Sequence, residues 1–515
     1  GALTQINPSI IAGSALSVGA ATALTAGRGY GWMDWGHPAT PGLQYWIQEI
    51  DLRGRSVWHG PLVVSSQDDH PPSRLTSPML PARSPTIASP VSQPLPRVAR
   101  PEIARATHPW APGTQAVKLG VNHEGWYRVS LDSLARLGLD VNDPTLLHLY
   151  AEGQDQAFQV RGRSLQFYGL GLDTPSTDIR VYWVVDGDPG GPRISKSPFG
   201  GGVASPPDFP AAVERQDHTV YFSSLLNGDL DNFFGDLVSA TPALESLDVP
   251  HVSTDDGATV EVGLQGVTDL PHQVQVSLNG VSLGEMSFDG QGSGVVTLPA
   301  SGLVEGSNTV SLQSSGDADL SLVDHVLISY PHTYEADSDQ LRFTAPGGSQ
   351  VSVGGFTASS VRVVDVTDPA APVELAAVVT GDSNDYSAEV TVPGTDTRTL
   401  LAFGADRVQP PAWSVADQAS AWGTSTQAAD MVLVTTHAFA KAVAPLVSER
   451  QTQGLTVAVV DVTDAYDEFN YGEKDPQAIR DLMSYATTNW QTSPRFLMLF
   501  GLGTYDPRGY LGGSP

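Results

Sequence analysis

Apolar and polar residues change their spacing once along this chain, and the change divides it. Up to about residue 412 the apolar runs are short, alternate with polar residues, and are separated by Gly-, Pro- and Asp-containing turns, the pattern of half-buried antiparallel strands. Beyond it the spacing becomes that of alternating strands and helices. Met431–Thr435 reads as a strand, and Phe439, Val443, Leu446 and Val447 fall on one helical stripe. Gly454 stands where a helix C-cap is expected, ahead of a second buried-type strand over 455–462. Asp475-Pro476 then supplies an N-cap and a proline for the first helical position, and the next stripe is Ile479, Leu482, Met483, Ala486 and Trp490. A third strand over 496–500 closes at Gly501. Strand–helix–strand–helix–strand with short connections predicts a parallel sheet, whose chemistry sits at the carboxyl ends of the strands. Those ends carry Thr436-His437, the segment Asp461 to Glu468, and Gly501 to Asp506.

Taken in order, the earlier chain divides further. Residues 1–64 end in two strand-like runs, 45–52 and 56–64, joined by a turn at Arg53-Gly54. Residues 65–113 form a Pro/Arg-rich linker, an extended spacer with eleven prolines between 66 and 112. An exposed extended segment of this kind is what an Arg-specific protease accepts, so Arg97, Arg100 and Arg105 are candidate processing positions. Residues 114–205 read as a small mixed α+β module with strands near 126–129, 146–150, 166–168 and 180–185 and a short helix over 131–137. Residues 206–334 read as an antiparallel β-sandwich of jelly-roll type, with a type I′ hairpin at Asn279-Gly280. Residues 335–412 form a small β domain, and Pro410-Pro411 mark a linker into the α/β portion, 413–515.

Composition narrows the function classes. The 515 residues carry a formal charge of −29 with only four lysines, Lys118, Lys196, Lys441 and Lys474, a balance that opposes binding to nucleic acid or anionic lipid. The sequence contains no cysteine, which excludes disulfides, thiolate metal sites and any thiol nucleophile within it. The mildly apolar run Ile10–Ala26 lacks a preceding basic segment and is interrupted by Ser, Thr and Gly, so neither a signal peptide nor a membrane span is expected there. No H-E-x-x-H, Walker-type loop, Rossmann glycine set or G-x-S-x-G elbow occurs. The polar loop Asn227–Asn232 lacks the spacing of an EF-hand and reads as a turn.

The run G-L-T-V-A-V-V-D-V-T-D-A-Y-D-E-F-N-Y-G-E-K-D-P-Q-A-I-R-D-L (Gly454–Leu482) resembles the start of the catalytic domain of the gingipain family of cysteine peptidases. M-V-L-V-T-T-H-A-F before it and F-L-M-L-F-G-L-G-T-Y-D-P-R after it fit the same pattern. The resemblance implies a caspase-like α/β fold, a cysteine nucleophile and a His-Gly general base, both borne by strands after the matched region. Nucleophile and base are therefore expected beyond Pro515, the last residue of this sequence. The expected fold class is thus multidomain and predominantly β, with antiparallel sandwiches and a C-terminal caspase-like portion. Neither catalytic group maps onto a residue here, with His437, not followed by glycine, the sole candidate base. Leu502 stands where the family places an aspartate. The hairpin over 45–64 resembles the last hairpin of a fibronectin type III-like module.

Asp461, Asp464, Asp467 and Glu468 form a carboxylate cluster expected in a loop bordering the cleft, with Asp506 as a further lining residue. Asp464, Asp467 and Glu468 are candidate ligands for a structural calcium, since crowded carboxylates need hydration, backbone N–H donors or a cation. No other cofactor is expected. The expected setting is extracellular or cell-surface, with protein or peptide substrates, or surface proteins if the fold serves as a non-catalytic adhesin or filament component.

Overall fold

The computed structural model describes residues 44–50, 55–63, 108–110, 114–187, 189–228, 230–254 and 256–512. Arg97, Arg100, Arg105, the run Ile10–Ala26 and the turn at Arg53-Gly54 lie outside them. So does Pro515, so the expectation that the reacting groups follow it has no counterpart among the described residues. Gln44–Ile50 and Ser56–Val63 pair antiparallel, as the alternation there predicts.

Three β-sandwiches follow, and two of them are completed by strands distant in sequence. The first buries Leu119, Tyr127, Leu149, Phe158, Phe167 and Val184 between two sheets. Its five-stranded sheet runs Trp413–Ala416, Ala116–Val121, Arg180–Asp186, Leu147–Ala151, Gln154–Asp155. Its four-stranded sheet begins with Val408–Gln409, parallel to Gly125–Ser130. The Pro410-Pro411 stretch is therefore no free linker. The prolines, which cannot donate to a ladder, sit between two short strands that each join a different sheet of this sandwich. Gly120 makes the closure possible, because a Cβ there would stand 2.2 Å from the Trp413 ring. The expected helix is present as Leu131–Arg136, capped by Ser130.

The second sandwich packs Asp208–Arg215, Ser321–Thr333, Thr259–Gly266 and Ser293–Pro299 against Ala243–Val249, Gly306–Ser314, Pro271–Leu278 and Val281–Asp289. Its core is aliphatic, with Val260, Val262, Val274, Val276, Leu312 and Ile328 fully buried. Asn279 (φ 51°) and Gly280 (φ 82°) both take the left-handed region that a type I′ hairpin requires. The third sandwich, centred on Phe343, Val353, Phe356 and Leu400, recruits Ser195–Ser197 and Val203–Ala204 through parallel pairing.

The α/β unit comprises β1 (Met431–Thr435), α1 (Ala444–Thr452), β2 (Val457–Asp461), α2 (Val462–Asn470), α3 (Gln477–Asn489) and β3 (Phe496–Leu499). The strands are parallel in the order β2–β1–β3. Val432, Val434 and Val460 share a core with Phe469 and with the stripe read from the sequence, of which Leu482, Ala486 and Trp490 are buried and Ile479 and Met483 partly so. Asp475 accepts a hydrogen bond from the Gln477 N–H at 2.8 Å, capping α3 as expected. Two elements differ. The α-helix after β1 starts at Ala444, because Pro445 is tolerated only in a first turn, and His437–Phe439 form a separate 3-10 turn. The carboxylate segment is a helix with its N-cap and not a loop: Asp461 accepts from the Thr463 N–H at 2.9 Å, and Ala465 and Phe469 turn inward one helical turn apart.

Candidate active-site face and the carboxylate helix

The carboxyl ends of β1, β2 and β3 form one rim. Thr435 ties two of them, its hydroxyl donating to the Phe500 carbonyl at 2.9 Å. His437 is exposed just after β1, and its ring makes no hydrogen bond among the described residues. After β3 the chain turns back, and Asp506 is the pin of that turn. It is buried, and its two carboxylate oxygens accept the N–H groups of Tyr510 and Leu511, each at 2.8 Å. The turn leans on the small antiparallel pair Val220–Tyr221 and Phe233–Phe234 and the chain just before it, with Tyr510 stacked on His218 at 4.2 Å and the Tyr505 ring tilted against Tyr221 at 4.6 Å. Arg508 bonds Asp173 of the first sandwich at 2.6 Å. Leu502 stands out from the rim, 98% exposed.

The carboxylates of α2 do not converge on one another. Asp461 caps its own helix. Asp464 accepts the Trp422 indole N–H at 3.0 Å. Glu468 accepts the backbone N–H groups of Trp422 (2.8 Å) and Gly423 (2.6 Å) together with the Ser420 hydroxyl. Asp467 points instead into the first sandwich, where Lys118 donates to it at 2.6 Å with both side chains buried. Asp417 stands 3.9 Å from the same lysine. Burial pushes Asp467 up to about 6 against the pull of Lys118, and its second oxygen has no hydrogen-bond partner. Asp464 and Asp417 are raised as well, chiefly by burial. Among the described residues no group of three or more His, Asp and Glu is closed around a metal position, and the calcium candidates Asp464, Asp467 and Glu468 each serve a different protein donor.

These contacts make α2 the seam between the α/β unit and the first sandwich. Beyond the helix, Tyr471 (φ 55°) and Gly472 (φ 90°) reverse the chain in the left-handed region. The Trp183 indole donates to the Tyr471 carbonyl at 2.7 Å, and the His108 ring meets the Asp467 carbonyl at 2.8 Å. Glu473 follows, buried and pushed up to about 7 by desolvation and by the nearby Glu152. Sequence reasoning missed Lys118, Trp183 and Trp422. The one signal for Lys118 was its rarity: one of four lysines, flanked by apolar strand residues. In the polar loop, Asp231 accepts the Phe233 N–H at 2.8 Å and Asn227 donates to the Asp231 carbonyl at 2.9 Å, closing a turn.

Comparison with known proteins adds to this geometry. Residues 424–511 match the model of peptidase family C25. Among solved structures, dimeric latent PorU from Porphyromonas gingivalis superposes with a TM-score of 0.59 at 16% identity, over 78% of this chain and 42% of that one. The chain thus spans less than half the length of that structure. The CBM35 module of Cellvibrio japonicus Abf62 aligns over 24% of this chain and 99% of its own at 13% identity, with a TM-score of 0.18. No curated protein matches the sequence. The segment 424–511 is accordingly gingipain-like, carrying the peptidase family C25 pattern on its parallel sheet, beside β-sandwiches whose fold is shared with PorU.

Proposed function

We propose that this chain supplies the accessory β-modules and the opening half of the α/β domain of an extracellular or surface cysteine endopeptidase. The observation that carries the reading is the family C25 match over β1, β2 and β3, on a sheet whose last strand is uncovered. Phe496, Leu497 and Leu499 are 49, 45 and 62% exposed, whereas parallel strands are ordinarily covered on both faces. Further strands laid beside β3, with their crossover helices on the sheet faces, would cover them and bring a thiolate and a general base to the rim formed by Thr435, Phe500 and Asp506. A thiolate attacking a peptide carbonyl forms a thioester, with the base taking and returning a proton and backbone donors holding the oxyanion. Both reacting groups would come from beyond Pro515, since the 515 residues contain no cysteine and His437 lacks the glycine of the family's base. The substrates would be proteins or peptides, in keeping with the family.

One observation favours a second reading, a non-catalytic surface or filament component that keeps the fold: Leu502, where the family places an aspartate, projects fully into solvent. The test is a peptide-library assay on the purified chain 1–515 and on the same chain extended by whatever its coding region encodes next. Cleavage only by the extended form, abolished by a cysteine-alkylating reagent, supports the peptidase. Cleavage by 1–515 alone overturns the division of labour proposed here, and an inert extended form favours the scaffold.

A further inference from the structure

The antiparallel pair Val220–Tyr221 and Phe233–Phe234 is a sheet of its own, outside the three sandwiches, and its side chains sort onto two faces. Val220 stands opposite Phe234 and Tyr221 opposite Phe233, so the period of two sends the first two rings and chains one way and the second two the other. On the first face Val220 and Phe234 join Phe222, Leu320 and Leu322 in a small core at the flank of the second sandwich. Tyr221 and Phe233 take no part in that core. They meet the turn that follows β3: Tyr221 lies against Tyr505 at 4.6 Å, and Phe233 meets Tyr510 edge-on at 5.0 Å. His218, two residues before the pair, stacks on Tyr510 at 4.2 Å with the rings within 4° of parallel.

The hairpin is stiff where the turn is not. Asn232 closes the hairpin's connection, its amide donating to the Phe222 and Leu225 carbonyls at 3.1 Å each. In the turn, four of the twelve residues 501–512 are glycine, the residue that loses most conformational freedom when fixed. Asp506 braces it from within through the Tyr510 and Leu511 N–H groups. From outside, Lys474 donates to the Pro507 carbonyl at 2.9 Å and Arg508 to Asp173 at 2.6 Å. The Tyr510 hydroxyl is buried without a hydrogen-bond partner, so ring contacts hold this side chain, with the Arg508 guanidinium 5.1 Å from the ring centre.

We propose that His218, Tyr221 and Phe233 are positioning residues, a clasp carried by the accessory modules that holds the Gly-rich turn 501–512 at the rim where substrate binds. Its effect on substrate rests on the peptidase reading, whereas its hold on the turn does not. The turn leaves the carboxyl end of β3, the edge at which the sites of parallel sheets lie, and offers Leu502, Leu511 and the free side of Tyr505 to solvent. The β-modules are then part of the cleft and not spacers beside it.

Native-state amide exchange of chain 1–515 reads the hold, at the Tyr510 and Leu511 amides that donate to Asp506. With His218→Ala and Tyr221→Leu together, these amides should exchange about tenfold faster or more, while those of β1 and α3 keep the parent rate. His218→Phe with Tyr221→Phe keeps both rings and should restore the parent rate. Tyr221→Leu alone, which leaves an apolar side chain on the strand, carries the test if the pair of truncations does not fold. In the chain extended by its downstream coding region, the truncations should raise KM about tenfold with kcat within about twofold, because the turn shapes binding and not the reacting groups. Unchanged exchange at Tyr510 and Leu511 overturns the clasp. So does a fall in kcat at unchanged KM, which is what a smaller folded fraction gives. An extended parent that cleaves nothing defeats the peptidase reading, and the exchange rates then decide the clasp.

Discussion

Lys118→Met is the most informative single change at the seam between the α/β unit and the first sandwich. The lysine is 6% exposed, the Asp467 carboxylate lies 2.6 Å from it, and the second oxygen of that carboxylate is already unpartnered. Removing the cation leaves a buried, uncompensated anion, which costs about 3–5 kcal/mol. Asp467 has one escape, to take up a proton. With Lys118 in place its folded value is already about 6, above the ordinary 3.8, so ionising it disfavours the folded state. The sign follows: the unfolded chain gives up this proton first, so stability is greatest below the unfolded value and declines as pH rises through about 6. The rise from 3.8 to about 6 corresponds to roughly 3 kcal/mol. Without Lys118 the folded value climbs further, and the carboxyl is mostly protonated at pH 5.5. The variant should therefore be strongly destabilised at pH 8 and mildly at pH 5.5. A multidomain chain does not unfold in one step, so the readout is local: native-state amide exchange of α2 (Val462–Asn470). Exchange there should quicken by about two to three and a half orders of magnitude at pH 8 and by about tenfold or less at pH 5.5. Lys118→Met with Asp467→Leu should restore most of the loss, because a buried pair exchanged for apolar groups is often neutral. A loss equal at the two pH values, or below about 1 kcal/mol at pH 8, would refute the account.

Three further outcomes follow from the same geometry. Glu473→Gln removes a buried carboxyl pushed up to about 7, so α2 and α3 should exchange more slowly in the variant at pH 8, by about 1–3 kcal/mol, with the gain fading below pH 5; faster exchange at pH 8 would contradict it. Gly472→Ala places a Cβ 3.1 Å from Val181 and 3.2 Å from the Trp183 ring at φ 90°, and should cost about 1–3 kcal/mol in thermal or denaturant unfolding of the seam, whereas an unchanged midpoint would show that the close packing is not needed. Leu502→Asp alters a fully exposed position and should shift stability by no more than about 0.5 kcal/mol, measured by the same unfolding curves; a loss above about 1 kcal/mol would mean that Leu502 is covered in solution.

The α/β unit was legible because its signals are local. The 3.6-residue stripe of α3, the Asp475-Pro476 start and the apolar runs of β1, β2 and β3 are each written within about a dozen residues. Local reading failed where two local meanings compete. In D-V-T-D-A-Y-D-E the acidic density suggested a solvated loop, but Asp461 as N-cap and the Ala465–Phe469 spacing were the stronger instruction, visible only once the apolar pair is weighed above the charge. Pro410-Pro411 misled in the same way, since prolines mark breaks in strands as readily as linkers between domains.

By itself the sequence determined which stretches become strands and helices, the handover from β-sandwiches to a parallel sheet, and the absence of any thiol nucleophile from these residues. Those properties depend on residue type and short-range spacing. Only the tertiary structure decided the partners: Lys118 with Asp467 across 349 positions, Trp413 over Gly120, and His332 against Asp337 where two sandwiches meet. What a carboxylate does there depends on whether packing leaves it a lysine, an indole N–H or an imidazole to face. That is a property of the packed chain, which neighbours in sequence do not carry.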